Sequence, residues 1–146
     1  MRIEPMNASQ VPQIAELEKL CFSDPWSEQS IASELENPLS LWLVAVEAGE
    51  VVGYVGSQTV LGETDMMNLA VAPEARRQGT GRALVLALVE ALKEKESHSL
   101  MLEVRASNIP AQKLYASLGF SQVGRRPKYY SNPREDALIL RKEWSV

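Results

Sequence analysis

The sequence predicts an α/β fold built on a mixed, mostly antiparallel sheet, and three observations carry that reading. Between residues 41 and 71, three β-rich runs are joined by short glycine-containing turns, the pattern of an antiparallel meander. The strand-like run ending at Val71 and another over Ser99–Arg105 flank the longest helical pattern in the chain, so the crossover sets two strands parallel. With 146 residues, 45% of them hydrophobic and 23% charged, the chain supports one core and a single domain over 1–146.

The elements follow in order as β-α-α-β-β-β-α-β-α-β-β. Residues 2–6 form a short edge strand that Pro5 ends. Asn7 or Ser9 caps a helix whose apolar face is Val11, Ile14, Ala15, Leu17 and Leu20. Asp24-Pro25-Trp26-Ser27 breaks it, and Ser27 caps a second helix that turns Ile31 and Leu35 inward and stops at Asn37-Pro38. The meander strands are Leu41–Glu47, Val51–Val60 and Asp65–Val71, with Gly53 and Gly56 marking bends or close backbone approach. A helix from about Gly79 to Glu96 carries the stripe Leu84, Val85, Leu88, Val89 and Leu92. In the strand Ser99–Arg105, Leu100, Leu102 and Val104 alternate with Met101, Glu103 and Arg105. Asn108 caps a short helix with Pro110 in its first turn, Gly119 stops it, and strands near Phe120–Arg126 and Ala137–Arg141 close the sheet.

Composition excludes several functions. Cys21 and His98 are the only residues of their kinds, which argues against an intrachain disulfide, a metal centre or a histidine-based triad. No apolar run approaches the ~18 residues that span a bilayer, and the first residues lack the apolar stretch of a secretory signal, so a cytoplasmic protein with no membrane partner is expected. The net charge of −4 is unevenly spread: residues 1–73 carry 11 acids and 2 bases, residues 74–146 carry 8 acids and 13 bases. The overall acidity argues against nucleic acid as a partner. The asymmetry suits one half that attracts a cation and another that attracts an anion, or two differently solvated faces.

The segment Arg76-Arg77-Gln78-Gly79-Thr80-Gly81-Arg82 lies between a strand and the long helix. Free amide N–H groups at a helix start favour an anion, and glycines let a diphosphate approach the backbone. No Gly-Lys-Ser/Thr follows, so it is not a Walker loop, and the third glycine of a dinucleotide fingerprint is missing.

Arg-x-x-Gly-x-Gly after Leu69-Ala70-Val71-x-Pro73 resembles the pyrophosphate loop of the GCN5-related N-acetyltransferases (GNAT). Leu102-Glu103-Val104-Arg105-Ala106-Ser107-Asn108 and Leu114-Tyr115-x-x-Leu118-Gly119-Phe120 resemble the second half of that family's core. Phe22-x-x-Pro25-Trp26-Ser27, Tyr129-Tyr130 and Arg134-Glu135-Asp136-Ala137 narrow the resemblance to the branch that acetylates the N-terminal alanine of a bacterial small-subunit ribosomal protein.

The resemblance implies the GNAT fold, with a splayed parallel pair of strands at the cofactor cleft, and acetyl-CoA as co-substrate. Attack by a neutral amine on the thioester needs a clamp, an oxyanion donor, a base and an acid. The amides of Arg77, Gln78, Gly79, Thr80, Gly81 and Arg82 would hold the diphosphate. Leu69, Ala70 and Val71 would pair with the pantetheine arm as an added strand does, and the N–H of Leu69 or Val71 would steady the oxyanion. Asn108 would cap its helix and contact the cofactor. Glu103 would be the base and Tyr115 the acid. An α-amine, with a pKa of about 8 against about 10.4 for lysine, needs only modest help from a carboxylate. The plainer alternatives are an ion pair of Glu103 with Arg105, a core tyrosine at 115, and cross-strand packing of Tyr129 and Tyr130, which would otherwise line the peptide channel. Trp26 is a packing anchor or a substrate contact.

The acidic helices, with Glu16, Glu18, Asp24, Glu28, Glu34 and Glu36, would draw a basic peptide. Cys21 is placed away from the motif strands, which leaves direct transfer in a ternary complex rather than an acyl-cysteine. Rival readings are acetylation of a small amine or of other protein N-termini, a CoA-sensing module without turnover, and a nucleotide-binding fold.

Overall fold

The structure, a computed structural model, describes residues 1–144. Seven strands form one sheet in the order β1-β2-β3-β4-β5-β7-β6. They are β1 (Arg2–Pro5), β2 (Ser40–Glu47), β3 (Glu50–Val60), β4 (Glu63–Val71), β5 (Ser99–Arg105), β6 (Ser121–Tyr130) and β7 (Glu135–Glu143). The helices are α1 (Val11–Cys21), α2 (Glu28–Ser33), α3 (Thr80–Glu94) and α4 (Ile109–Ser117). The predicted order and the GNAT-type mixed sheet hold.

Both hairpin turns of the meander put a non-glycine residue and a glycine at positive φ, Ala48-Gly49 and Leu61-Gly62, as a right-twisted two-residue turn requires. The central strands are buried on both faces. Leu43, Ala45 and Val55 join α3, β5, β7, Tyr115 and Phe120 in one core, while Trp42, Val44 and Tyr54 join α1 and α2 in the other. Burial on both sides is why β2 reads as an unbroken apolar run. The stripe Leu84, Val85, Leu88, Val89 and Leu92 is buried as expected.

Two leucines depart from expectation. Leu20 is 69% exposed and Leu35 40% exposed. Their places are taken by Glu18 and Glu34, both buried. The spacing Val11, Ile14, Ala15, Glu18 is the true helical stripe, and Leu20 falls off it.

β4 and β5 make the sole parallel pair of the described sheet, and they pair only at Glu63–Asp65 against Ser99–Met101. Beyond this point they part. On its other side β4 slips register against β3, with Gly56 opposite Asn68 and Ser57 opposite Met66, so Met67 bulges out. The splayed pair that the resemblance implies lies beside this slip. A Cβ on Gly56 would run into the Trp42 indole, so the backbone can lie this close only with glycine at the slip.

Candidate active site

The parting of β4 from β5 opens a cavity of about 840 Å³. Its walls include Met66–Leu69 of β4, Leu102–Arg105 of β5, Leu114 and Tyr115 of α4, Cys21–Asp24 and Trp26 after α1, and Tyr129 and Tyr130 of β6. A second cavity of about 300 Å³ lies at the start of α3, lined by Val71, Arg76, Arg77, Gly79, Thr80, Gly81, Arg82 and Leu114 among others.

The second cavity has the uncapped amides and cationic side chains that an anion seat needs. Gly79 is the N-cap residue of α3 at φ +80°, and no side chain caps the helix. The amides of its first turn are therefore left for a ligand. Arg77 also lies at positive φ, 65°. Arg76, Arg77 and Arg82 have no carboxylate partner among the described residues. Arg82 is held by Ser117 Oγ at 3.0 Å, Thr80 by the Ala75 carbonyl at 3.3 Å and Gln78 by the Glu74 carbonyl at 3.1 Å. The side chains of Gln78 and Thr80 thus brace the loop and leave their amides for the ligand. A Cβ on Gly81 would meet Leu114 and Val71 only at 3.8 Å, so glycine is not demanded by packing there; it keeps the cavity open.

The edge of β4 continues this seat. Ala72 N–H donates to the Val52 carbonyl at 2.8 Å. The alternation of an antiparallel ladder then turns the Ala70 amide toward Tyr54 on β3, and the Leu69 and Val71 amides toward the side β5 has left. Ala70 is therefore committed to the sheet, a correction to the expectation that its backbone pairs with the pantetheine arm. The Val71 carbonyl already accepts from Arg76 Nε at 3.0 Å. Uncapped amides, unpaired arginines, an open cleft and two free strand N–H groups together fit a molecule with a diphosphate and an amide-bearing arm, as acetyl-CoA has.

Glu103 faces the large cavity because α1 and α2 cover only the β1–β4 half of the sheet on that side. Its Oε2 lies 3.0 Å from Arg126 Nε, an ion pair that reaches over β7, which lies between the two strands. This oxygen is shielded from solvent and makes no hydrogen bond among the described residues. The expected alternative, Glu103 with Arg105, does not occur. Arg105 binds Glu135 at 3.0 Å and stacks over the Tyr130 ring at 4.4 Å. Arg126 lies over Tyr129 at 5.7 Å. No feature of the sequence singled out Arg126, because its partner stands two strands away.

Tyr115 is 5% exposed, set edge-on against Phe120 with its hydroxyl 3.8 Å from Met66 Sδ. Burial, with a small contribution from Tyr130, pushes its phenol above the ordinary tyrosine range, so it stays protonated. It is both a core tyrosine and a lining residue of the cleft. Tyr129 and Tyr130 contact each other edge-on at 5.1 Å and line the cavity, so they too serve both readings. Burial foremost, then the negative charge of Glu103, raises both phenols, Tyr130 to about 12. Asn108 caps α4, accepting from Ala111 N at 3.2 Å, and lines the same cavity.

Two expectations about the acceptor side are corrected. Glu18 and Glu34 do not face solvent as attractors of a basic peptide. Glu34 accepts from Trp42 Nε1 at 3.1 Å and Gln58 Nε2 at 2.9 Å, and Glu18 binds the Trp26 amide at 2.8 Å. Cys21 is not remote from the motif strands either. Its Sγ lies 3.9 Å from the Val71 carbonyl and 3.4 Å from Arg76 Nη2, at the α3 end of the cleft. Trp26 packs edge-on against Trp42 at 5.4 Å and also lines the cavity.

Known proteins share this architecture. The model of the acetyltransferase (GNAT) family matches residues 11–120. The ribosomal protein bS18-alanine N-acetyltransferase of Escherichia coli (strain K12) is 38% identical over 141 residues, 94% of each chain. A Bacillus subtilis protein provisionally named for the same activity is 40% identical over 136 residues, covering 92% of this chain and 90% of its own. The crystal structure of the ribosomal-protein-S18-alanine N-acetyltransferase from Escherichia coli superposes with a TM-score of 0.91 at 35% identity, covering 99% of this chain and 94% of that one. The chain belongs to the GNAT acetyltransferase family.

Proposed function

We propose that this protein transfers the acetyl group of acetyl-CoA to the N-terminal alanine of the ribosomal protein bS18, by direct attack in a ternary complex. The observation that carries the reading is the parting of β4 and β5, which brings Glu103, Tyr115 and the open β4 edge into one cavity that runs toward the uncapped start of α3. The relatives named for this activity align over nearly the whole chain.

Each residue has a task. The amides from Arg77 to Arg82 and the free arginines hold the diphosphate, with the helix dipole behind them. The Leu69 and Val71 N–H groups guide the arm along β4, and one of them steadies the negative charge that grows on the acetyl oxygen. Acetyl-CoA supplies an activated acyl group and a good leaving thiol. Glu103, through a bridging water, takes the proton of the incoming amine; a group with a pKa of about 8 surrenders it readily. Tyr115, protonated at neutral pH, gives a proton to the departing sulfur. Asn108 fixes the mouth of α4 at the cleft. Tyr129 and Tyr130 border the path of the peptide. The whole chain from 1 to 146 acts as one domain in the cytoplasm, where ribosomal proteins are made. No described helix is long and apolar enough to cross a membrane.

Mass spectrometry tests the reading. The protein is incubated with acetyl-CoA and two peptides, one beginning with the alanine of bS18, the other blocked at its N-terminus but carrying lysines. Acetylation of the first at its α-nitrogen is expected. Acetylation of lysines alone, or of neither peptide, overturns it.

A further inference from the structure

Glu18 places a carboxylate on the buried face of α1, wholly removed from solvent. A carboxylate persists there only if its oxygens are occupied. Three donors from three segments occupy them. Oε1 accepts from the Trp26 backbone N–H at 2.8 Å. Oε2 accepts from Asn68 Nδ2 at 2.8 Å and from the Tyr54 hydroxyl. Two of these donors belong to opposite walls of the cleft. Trp26 lies in the loop after α1, and Asn68 lies on β4 directly after the bulged Met67 and before Leu69, whose amide faces the opening. Among the described residues, the bond from Trp26 to Glu18 is the sole hydrogen bond tying residues 23–26 to another element.

We infer that Glu18 is a positioning residue for acetyl transfer: its carboxylate holds the loop before α2 and the bulged stretch of β4 at a fixed separation, and so sets the width of the acceptor side of the cleft. This deepens the acetyltransferase reading and rests on it. The chemistry requires a carboxylate, since only that group offers acceptors at both ends and no donor of its own. A glutamine would keep its oxygen where two donors converge, at Asn68 and Tyr54. Its amide nitrogen would then face the Trp26 N–H, donor against donor, and the loop would be released. Tyr54, stacked on Trp42 at 5.8 Å, does not line the cavity, so its hydroxyl can be removed without cutting the tie between Trp26, Glu18 and Asn68.

The experiment compares Glu18→Gln with Tyr54→Phe in the full chain. It measures peptide KM, acetyl-CoA affinity by calorimetry, and amide hydrogen exchange. Glu18→Gln is expected to raise KM for the alanine-starting peptide by about tenfold, the cost of one lost hydrogen bond to a charged group. Acetyl-CoA affinity stays within about twofold, because the loop at α3 shares no partner with Glu18 and the glutamine oxygen keeps the bond to Asn68 beside Leu69. Exchange at residues 23–26 accelerates, while residues 67–69, still bonded to the glutamine oxygen through Asn68, hold. Tyr54→Phe lowers thermal stability but leaves peptide KM in place. An unchanged peptide KM in folded Glu18→Gln, a parallel loss of acetyl-CoA affinity, or the same KM rise in Tyr54→Phe overturns the inference. If Glu18→Gln does not fold, Asn68→Ala cuts the β4 tie alone; it must raise peptide KM, and an unmoved KM overturns the inference. A wild-type protein inactive on the peptide would refute the acceptor assignment instead. The exchange readout would still decide the role of Glu18: acceleration confined to residues 23–26 in Glu18→Gln supports it, and unchanged exchange there overturns it.

Discussion

The two ends of the cleft are built in opposite ways. The proposed diphosphate end is made of backbone: one contiguous loop and the first turn of α3 offer its amides, and the side chains of Gln78 and Thr80 serve to brace that loop. The acceptor end is made of side chains from distant segments, with Glu18, Trp26, Asn68, Glu103, Tyr115, Arg126 and Tyr129 brought together only by folding. A site of backbone amides needs a particular local conformation, and glycine spacing writes that conformation into the sequence. A site of side chains leaves no such local trace. Substitutions at the first end should therefore move acetyl-CoA affinity, and those at the second should move turnover or peptide KM.

The largest effect should come from the chemistry of the acceptor end. Tyr115→Phe keeps the ring that packs on Phe120 and removes the proposed acid. It should lower kcat by about 10²–10⁴ with acetyl-CoA affinity retained. Glu103→Gln should lower kcat by about 10² and leave acetyl-CoA binding intact. Steady-state kinetics beside calorimetry check both. Full activity in either variant removes that residue from the mechanism, and a loss of acetyl-CoA affinity instead would erase the contrast between the two ends.

A pair of glycines sharpens the contrast next. At Gly81 the nearest atoms to a new Cβ lie at 3.8 Å, so Gly81→Val should fold while filling the diphosphate cavity and weakening acetyl-CoA binding by more than about tenfold. At Gly56 a Cβ would strike the Trp42 indole, so Gly56→Ala should destabilise the fold by about 1–3 kcal/mol. Melting curves and calorimetry on both variants give the answer. Normal acetyl-CoA affinity in Gly81→Val would contradict the loop assignment.

The smallest effect is electrostatic. The Tyr130 phenol is raised to about 12 by burial first, and then by Glu103 and Tyr129 against the opposing Arg105. A folded value above the ordinary 10.0 means that the folded state keeps its proton longer. The stability this confers is complete below the unfolded value of about 10 and is lost as pH rises toward about 12. Tyr130→Phe should therefore flatten the alkaline fall of Tm. An unaltered slope would show that the phenol does not feel the cleft.

The fold was largely legible, because the meander, the long apolar stripe of α3 and the alternation in β5 are local patterns that tertiary packing did not override. The misreadings cluster in α1 and just after α2. There Glu18 and Glu34 occupy stripe positions that a pattern of apolar letters assigns to leucine, and Leu20 and Leu35 point to water. Buried carboxylates look like surface charges until their partners at Trp26, Trp42, Tyr54 and Asn68 are known. The ion pair of Glu103 with Arg126 was hidden for a related reason. Strand order β5-β7-β6 places residues 23 positions apart side by side, and no local spacing announces it. Cys21 reached the cleft because α1 ends beside the last residues of β4.

The most direct test is a crystal structure with a bisubstrate in which CoA is joined through its acetyl group to the α-nitrogen of an alanine-starting peptide. The diphosphate should lie on the amides at the start of α3, the arm along Leu69 and Val71, and the peptide nitrogen on the side of Glu103, with the Tyr115 hydroxyl toward the sulfur. A diphosphate seated away from α3, or a peptide nitrogen turned from Glu103, would contradict the account.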